Sequence, residues 1–155
     1  MRVAYLSLGT NLGDRGANLE GALSTLAAGD AYRLSHVYET EPVGGVVQDD
    51  FWNLVMEITT GASAEELLER AHRAEEDAQR IREVRWGPRT LDVDLLLVGD
   101  EVRDDPALTL PHPRMYERAF VLRPLRDLAP ELVSDEQLAG ARGHVVELGT
   151  LSSLR

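Results

Sequence analysis

The sequence predicts an α/β (α+β) fold: a ferredoxin-like β-α-β-β-α-β core with additional C-terminal helices and strands, in three layers, as a single domain over 1–155. Three observations carry this. Apolar residues alternate with period two in some stretches and recur every three or four residues in others. The two patterns succeed one another as strand, helix, strand, strand, helix, strand, the order of the split βαβ unit, whose antiparallel sheet carries both helices on one face. The apolar segments beyond that core must then cover the second face or extend the sheet's edge.

Each element has its own warrant. Residues 2–8 alternate Val3, Tyr5 and Ser7 against Ala4, Leu6 and Leu8, a strand. The turn from Gly9 to Gly13 leads into Asp14, a suitable N-cap, and Leu19, Ala22, Leu23 and Leu26 recur at helical spacing until Gly29. A second strand is expected over 32–40, a loop over 41–50 and a third strand over 51–60. Ser63 and Glu66 form a capping-box pattern before a helix whose apolar positions are Leu67, Ala71, Ala74 and Ala78. An arginine-rich loop broken by Gly87-Pro88 follows. Residues 91–98 form a strongly apolar fourth strand that ends in a tight turn at Gly99-Asp100. Residues 108–113 are extended and stiffened by proline. Residues 115–128 read as a helix interrupted at Pro124 and ended by Pro130. A short helix near 135–139 and an extended 145–148 complete the chain.

Composition excludes several function classes. The chain has 155 residues, no cysteine and a formal net charge of −11, so disulfide and thiolate chemistry are absent and the chain as a whole repels nucleic acid and anionic membranes. No apolar run is long enough to span a bilayer, the N-terminus does not read as a signal peptide, and a cytoplasmic location is expected. All 16 cationic side chains are arginine. A P-loop lysine and a Schiff-base lysine are thereby excluded, and any phosphate chemistry must use arginine, histidine, backbone and metal.

Against that acidic background, Arg80, Arg82, Arg85 and Arg89 crowd a short run that also holds Trp86, and Asp92 and Asp94 follow. Arginine's planar fork donates two parallel hydrogen bonds to phosphate oxygens and stays charged. Asp92 and Asp94, two apart on a strand, point to one face while Val93, Leu95 and Leu97 point to the other. Such a pair is a ligand set for a hard divalent cation, though alone it is also what a solvated strand end looks like. With the arginines it reads as a site for a metal-bound polyphosphate. Gly87-Pro88 and Trp86 suit a lid that closes over it. His112, held between two prolines, can donate to a phosphate oxygen, and Arg118 continues the cationic set beside Phe120. Asn53 and Phe51 share one face of the third strand; an amide can read a heterocycle's edge and a phenyl ring can stack on its face. His72 and Glu75 lie a turn apart, either near a nucleotide or paired on the surface.

The run 85–94, Arg-Trp-Gly-Pro-Arg-Thr-Leu-Asp-Val-Asp, resembles the signature of the 6-hydroxymethyl-7,8-dihydropterin pyrophosphokinases of folate biosynthesis. Gly9-Thr10-Asn11-Leu12-Gly13-Asp14, Tyr38-Glu39-Thr40-Glu41-Pro42, Phe51-Trp52-Asn53, Pro111-His112-Pro113-Arg114 and Arg118-Ala119-Phe120 agree in order, so the resemblance covers about 1–132. It implies a Mg-dependent, ATP-using enzyme that passes the pyrophosphoryl group of ATP to the pterin hydroxymethyl and releases AMP. It further implies that Asp92 and Asp94 hold two Mg²⁺ ions, that Arg80 and Arg89 neutralise charge on the breaking phosphoanhydride, and that Trp86 closes the lid. Asn53 and backbone near Thr40 and Val43 would read the pterin, Phe51 and Phe120 would sandwich its ring, and His72, Glu75, Thr109, His112 and Arg118 would serve ATP. The partners implied are two small molecules, with no nucleic acid and no membrane, and the chain is expected to be a monomer, a weak homodimer being the alternative. Where relatives carry Gln-Pro before the aromatic, this chain has Gln48-Asp49-Asp50, and a looser loop is expected. From the residues alone, a metal-dependent kinase or nucleotidyl transferase, or a ferredoxin-like small-molecule-binding regulatory module, are the other readings.

Overall fold

Period-two alternation divides each central strand between two cores, and that division sets the architecture. The computed structural model describes residues 1–42, 48–78 and 90–154. β1 (Arg2–Thr10), β4 (Phe51–Thr60) and β5 (Asp92–Val98) lie in a sheet ordered β5-β1-β4-β3-β8, with β3 (Val37–Thr40) and β8 (Val145–Gly149) beyond β4 and with β2 (Ala31–Leu34) also paired to β4. All its pairings are antiparallel. Leu6, Leu8, Leu54, Met56 and Ile58 face one way, against α1 (Arg15–Ala27) and α2 (Ala64–Ala78). Tyr5, Val55 and Leu96 face the other way, against Val121, Leu122 and Leu125 of α3 (Ala119–Leu128). The expected ferredoxin-like core with a third layer is the observed fold, and the tail does both things open to it: α3 covers the second face and β8 extends the edge.

The helix ends follow their expected chemistry. Asp14 accepts from the Ala17 N–H at 3.0 Å, and Ser63 Oγ accepts from the Glu66 N–H at 3.1 Å. α1 ends where Ala28 and Gly29 turn left-handed, at φ 47° and 88°. α4 (Asp135–Gly140) opens on a reciprocal Ser134–Gln137 capping box.

Three expectations need correction. The second strand is not continuous over 32–40. The pairing to β4 slips by one residue between Leu34↔Met56 and Tyr38↔Asn53, so Ser35 and His36 form a bulge. Buried Ser35 closes it: its N–H donates to the Val55 carbonyl, and its Oγ accepts from the Val55 N–H at 2.8 Å. Second, Leu97 does not share a face with Val93 and Leu95. A register irregularity between Tyr5 and Leu6 inserts an extra β5 residue, which sends Leu96 and Leu97 to the α3 core. Third, Pro124 does not interrupt the helix. The break falls at Arg118, whose extended backbone (φ −116°, ψ 112°) separates a 3-10 turn at Met115–Glu117 from α3. α3 runs through Pro124 and forfeits one ladder bond, because Val121, Leu122 and Leu125 are almost fully buried there. The expected extended segment begins, at β7 (Leu108–Leu110), as half of a small hairpin with β6 (Arg103–Asp105).

Candidate active site

The register aligns the site. Asn53 of β4, Gly9 of β1 and Asp92 of β5 are cross-strand partners in one row; Val55, Ser7 and Asp94 form the next. Partners in antiparallel pairs share a face, so Asn53, Asp92 and Asp94 lie on the α3 side, at the end of the sheet. Neighbouring strands are about 4.8 Å apart, which puts the Asn53 and Asp92 backbones about 10 Å apart.

At the β4 end, Asn53 is buried and its Nδ2 donates to Thr40 Oγ1 at 2.9 Å. Thr40 is the cross-strand partner of Phe51, so Thr40, Phe51 and Asn53 form one cluster. Gly9 makes room for it: a Cβ there would lie 2.7 Å from Asn53 Oδ1 and 3.7 Å from the Phe51 ring.

At the β5 end, a cleft of about 350 Å³ follows the free edge of the sheet, with His72, Glu75, Asp94, Thr109 and His112 among its walls. Glu75 Oε2 accepts from the Val93 N–H at 3.0 Å. Burial pushes its carboxyl above the usual range, the Val93 bond opposes this, and the charges of Asp92 and Asp94 add to the rise. Asp94 lies 4.0 Å from His112 Nε2 and 3.8 Å from Arg118 Nη1. The His112 backbone N–H donates to the Leu96 carbonyl, which pins it to β5. Burial holds its imidazole below the ordinary histidine value; Asp94 opposes the shift, and Arg118 and Arg114 reinforce it. His112 Nδ1 accepts from the Arg114 N–H at 3.2 Å, so in the neutral ring Nε2 carries the proton and faces the cleft as a donor. The Arg118 guanidinium carbon also lies 5.6 Å from the centre of the Phe120 ring.

The expected residues therefore gather in two adjoining groups: Thr40, Phe51 and Asn53, and then Glu75, Asp94, Thr109, His112 and Arg118, with Asp92 in the row that joins them. His72 is exposed on the cleft's α2 wall. Thr109 Oγ1 donates to the Asp105 carbonyl at 3.4 Å. Val43, Arg80, Trp86 and Arg89, like Arg82 and Arg85, lie outside the described residues. Of the loop expected to be looser, residues 43–47 lie outside the described residues, and 48–50 are held by two side chains. Asn11 Nδ2 donates to Gln48 Oε1 and to the Asp49 carbonyl, at 2.8 and 2.9 Å, and Arg15 Nη1 donates to the Asp50 carbonyl at 2.7 Å. Anchoring through backbone carbonyls does not depend on which side chains 49 and 50 carry. Asn11, Arg15 and Gly9 were not among the candidate residues. The Gly9–Asp14 turn marks Gly9 and Asn11 and nothing marks Arg15, because their partners are distant in sequence.

Asp92 and Asp94 offer hard oxygen donors on one face, and their charges already disfavour ionisation of Glu75. Two carboxylates on one face beside a cleft are the donor chemistry a hard divalent cation takes.

The family model described as 7,8-dihydro-6-hydroxymethylpterin-pyrophosphokinase matches residues 5–130. A 2-amino-4-hydroxy-6-hydroxymethyldihydropteridine pyrophosphokinase of Bacillus subtilis is 45% identical over 133 residues, 84% of this chain and 80% of that protein. One from Methylorubrum extorquens is 44% identical over 136 residues, 86% of each. Among solved structures, the Plasmodium falciparum HPPK-DHPS protein superposes with a TM-score of 0.60 over 99% of this chain at 16% identity; the chain spans 43% of its length, and the likeness is one of fold. The chain belongs to the 7,8-dihydro-6-hydroxymethylpterin-pyrophosphokinase family.

Proposed function

We propose that the two adjoining groups at the sheet's end are the seats of the two substrates of this family's reaction, with a pterin at Thr40, Phe51 and Asn53 and ATP along the β5 edge. Membership makes the chain a pyrophosphokinase of folate biosynthesis with ATP as co-substrate. The hydroxymethyl oxygen of 6-hydroxymethyl-7,8-dihydropterin attacks the β-phosphorus. The bond from that phosphorus to the α–β bridging oxygen breaks, AMP departs, and the hydroxyl proton passes to solvent. The observation that carries the reading is the Asn53–Gly9–Asp92 row, which sets a heterocycle-reading amide about 10 Å from a carboxylate pair.

Within this proposal Asp92 and Asp94 hold Mg²⁺, two ions, which would neutralise the triphosphate and polarise its phosphorus. His112 Nε2 and the Arg118 guanidinium donate to phosphate oxygens, Thr109, Glu75 and His72 line the nucleotide's side, and Arg80 and Arg89 neutralise charge as the anhydride breaks. Thr40 and Asn53 orient the pterin, with backbone near Val43. Phe51 and Phe120 bracket its ring, and Trp86 closes over it. The chemistry needs alignment and charge neutralisation more than a strong base, and no residue is assigned as one. Among the described residues no helix is long and apolar enough to cross a membrane. A cytoplasmic monomer with one pyrophosphokinase domain over 1–155 completes the proposal.

The test is a product assay with ATP, Mg²⁺ and the pterin, resolving AMP from ADP. AMP formed only with pterin present is the expected result; ADP would make the chain an ordinary kinase. Asp94→Ala should abolish turnover with the melting temperature retained, and near-normal turnover would remove Asp94 from the metal site.

A further inference from the structure

Arg15 is placed where it does little for its own helix. It is the first residue of α1, and a cation in a helix's first turn is opposed by the helix dipole. Its partners lie elsewhere. Nη1 donates to the Asp50 carbonyl at 2.7 Å and lies 3.6 Å from Glu39 Oε2. The guanidinium carbon stacks 4.6 Å above the Trp52 ring. Trp52 Nε1 in turn donates to the same Glu39 oxygen at 3.1 Å, and Glu39 and Trp52 are cross-strand partners.

Every one of these contacts falls on a neighbour of a site residue. Asp50 and Trp52 flank Phe51, and Glu39 precedes Thr40. Side chains alternate along a strand, so Glu39 and Trp52 point to the α1 face while Thr40, Phe51 and Asn53 point to the α3 face. The Arg15–Glu39–Trp52 group thus grips the backbone of the proposed pterin wall from behind. Three different interactions fix three different degrees of freedom: a charged hydrogen bond sets the Asp50 carbonyl, the stack sets the Trp52 ring, and Glu39 ties β3 to β4. Arg15 is only a quarter exposed and Glu39 a third, so solvent does not fully screen them.

From this we infer that Arg15 is a positioning residue for the pterin, setting the attitude of the Phe51 ring through the backbone on either side of it. The inference rests on the pterin seat proposed above, and it separates the two substrates: among the described residues lining the β5 cleft, none is Arg15, Glu39 or Trp52.

The experiment is a double-mutant cycle read by pterin binding, with ATP binding and melting temperature measured in parallel. Phe51→Ala tests the pterin seat. Arg15→Gln tests the inference, and should weaken pterin binding about tenfold, the scale of one lost charged hydrogen bond, with ATP affinity unchanged. In the Phe51→Ala background, Arg15→Gln should add no further loss, because the ring it positions is gone. Arg15→Lys keeps the charge and a donor but not the planar stack, so it should restore part of the affinity; it also serves if the glutamine variant does not fold. Unchanged pterin affinity in Phe51→Ala would remove the seat, and the inference with it. With the seat intact, three results would overturn the inference alone: normal pterin binding in Arg15→Gln, equal loss of ATP and pterin affinity, or a loss additive with Phe51→Ala.

Discussion

A methyl group at Gly9 would meet Asn53 Oδ1 at 2.7 Å, closer than a carbon and an oxygen tolerate, and the Asn53 amide is the group that must yield. It must rotate or withdraw, and its 2.9 Å bond to Thr40 would stretch. Gly9→Ala should therefore raise the KM for the pterin, by up to about 10²-fold if the amide moves an ångström, while KM for ATP stays near its original value. Steady-state kinetics with each substrate varied in turn gives the answer, and an unchanged pterin KM would show that Asn53 does not depend on this close approach. The same residues show what a sequence makes legible. Asp92, Asp94, Phe51 and Asn53 stand out because strand periodicity alone decides which side chains share a face. Gly9 and Arg15 do not, because their meaning lies in neighbours 24 to 44 positions away, on strands whose register had to be known first.

Elements are read from local pattern, and the errors fall where long-range packing overrides it. The bulge at Ser35 is an example: nothing in the local alternation marks it, yet it shifts β3 by one residue relative to β2 and so brings Thr40 opposite Phe51. The Ser35 hydroxyl takes the Val55 N–H, which the bulge would otherwise leave without its ladder partner. Ser35→Ala strands that buried donor, at a cost of about 1–3 kcal/mol, or about 2–4 °C of melting temperature per kcal/mol for a chain of this size. A calorimetric or circular-dichroism melt decides it, and an unchanged midpoint would mean that the bulge relaxes without the hydroxyl. The same reasoning covers the other misread elements. Proline chemistry argued for a break at Pro124, but the helix is held by burial against the sheet. The extra residue at Leu96 is visible only once β1 and β5 are paired.

At the scale of the molecule, an ionisable knot away from the site ties the layers together. His36, in the bulge, places Nδ1 2.6 Å from Glu147 Oε1 on β8 and gives its backbone N–H to Asp127 at the end of α3. The Tyr38 hydroxyl donates to both Asp127 oxygens, and Arg123 stacks over the Tyr38 ring at 5.6 Å. One cluster thus joins the sheet, its extended edge and the third layer. The Glu147 hydrogen bond, with Asp127's charge adding to it, raises the His36 pKa above its ordinary 6.5 although partial burial opposes the shift. The His36 bond lowers the Glu147 pKa below its ordinary 4.5. A group whose pKa rises on folding stabilises the fold fully below its unfolded value and loses that contribution as pH climbs through the folded one; for the lowered carboxylate the direction reverses. Both contributions are in place between the two ordinary values. His36→Gln keeps a hydrogen-bonding group but removes the charge, so wild type should exceed the variant in melting temperature most within that interval. The gap should close as pH rises through the raised His36 pKa, and again in acid as Glu147 takes a proton. Melts of both proteins from pH 4 to 9 measure it. A gap constant across that range would assign His36 a packing role only, because a neutral contact has no reason to follow a proton.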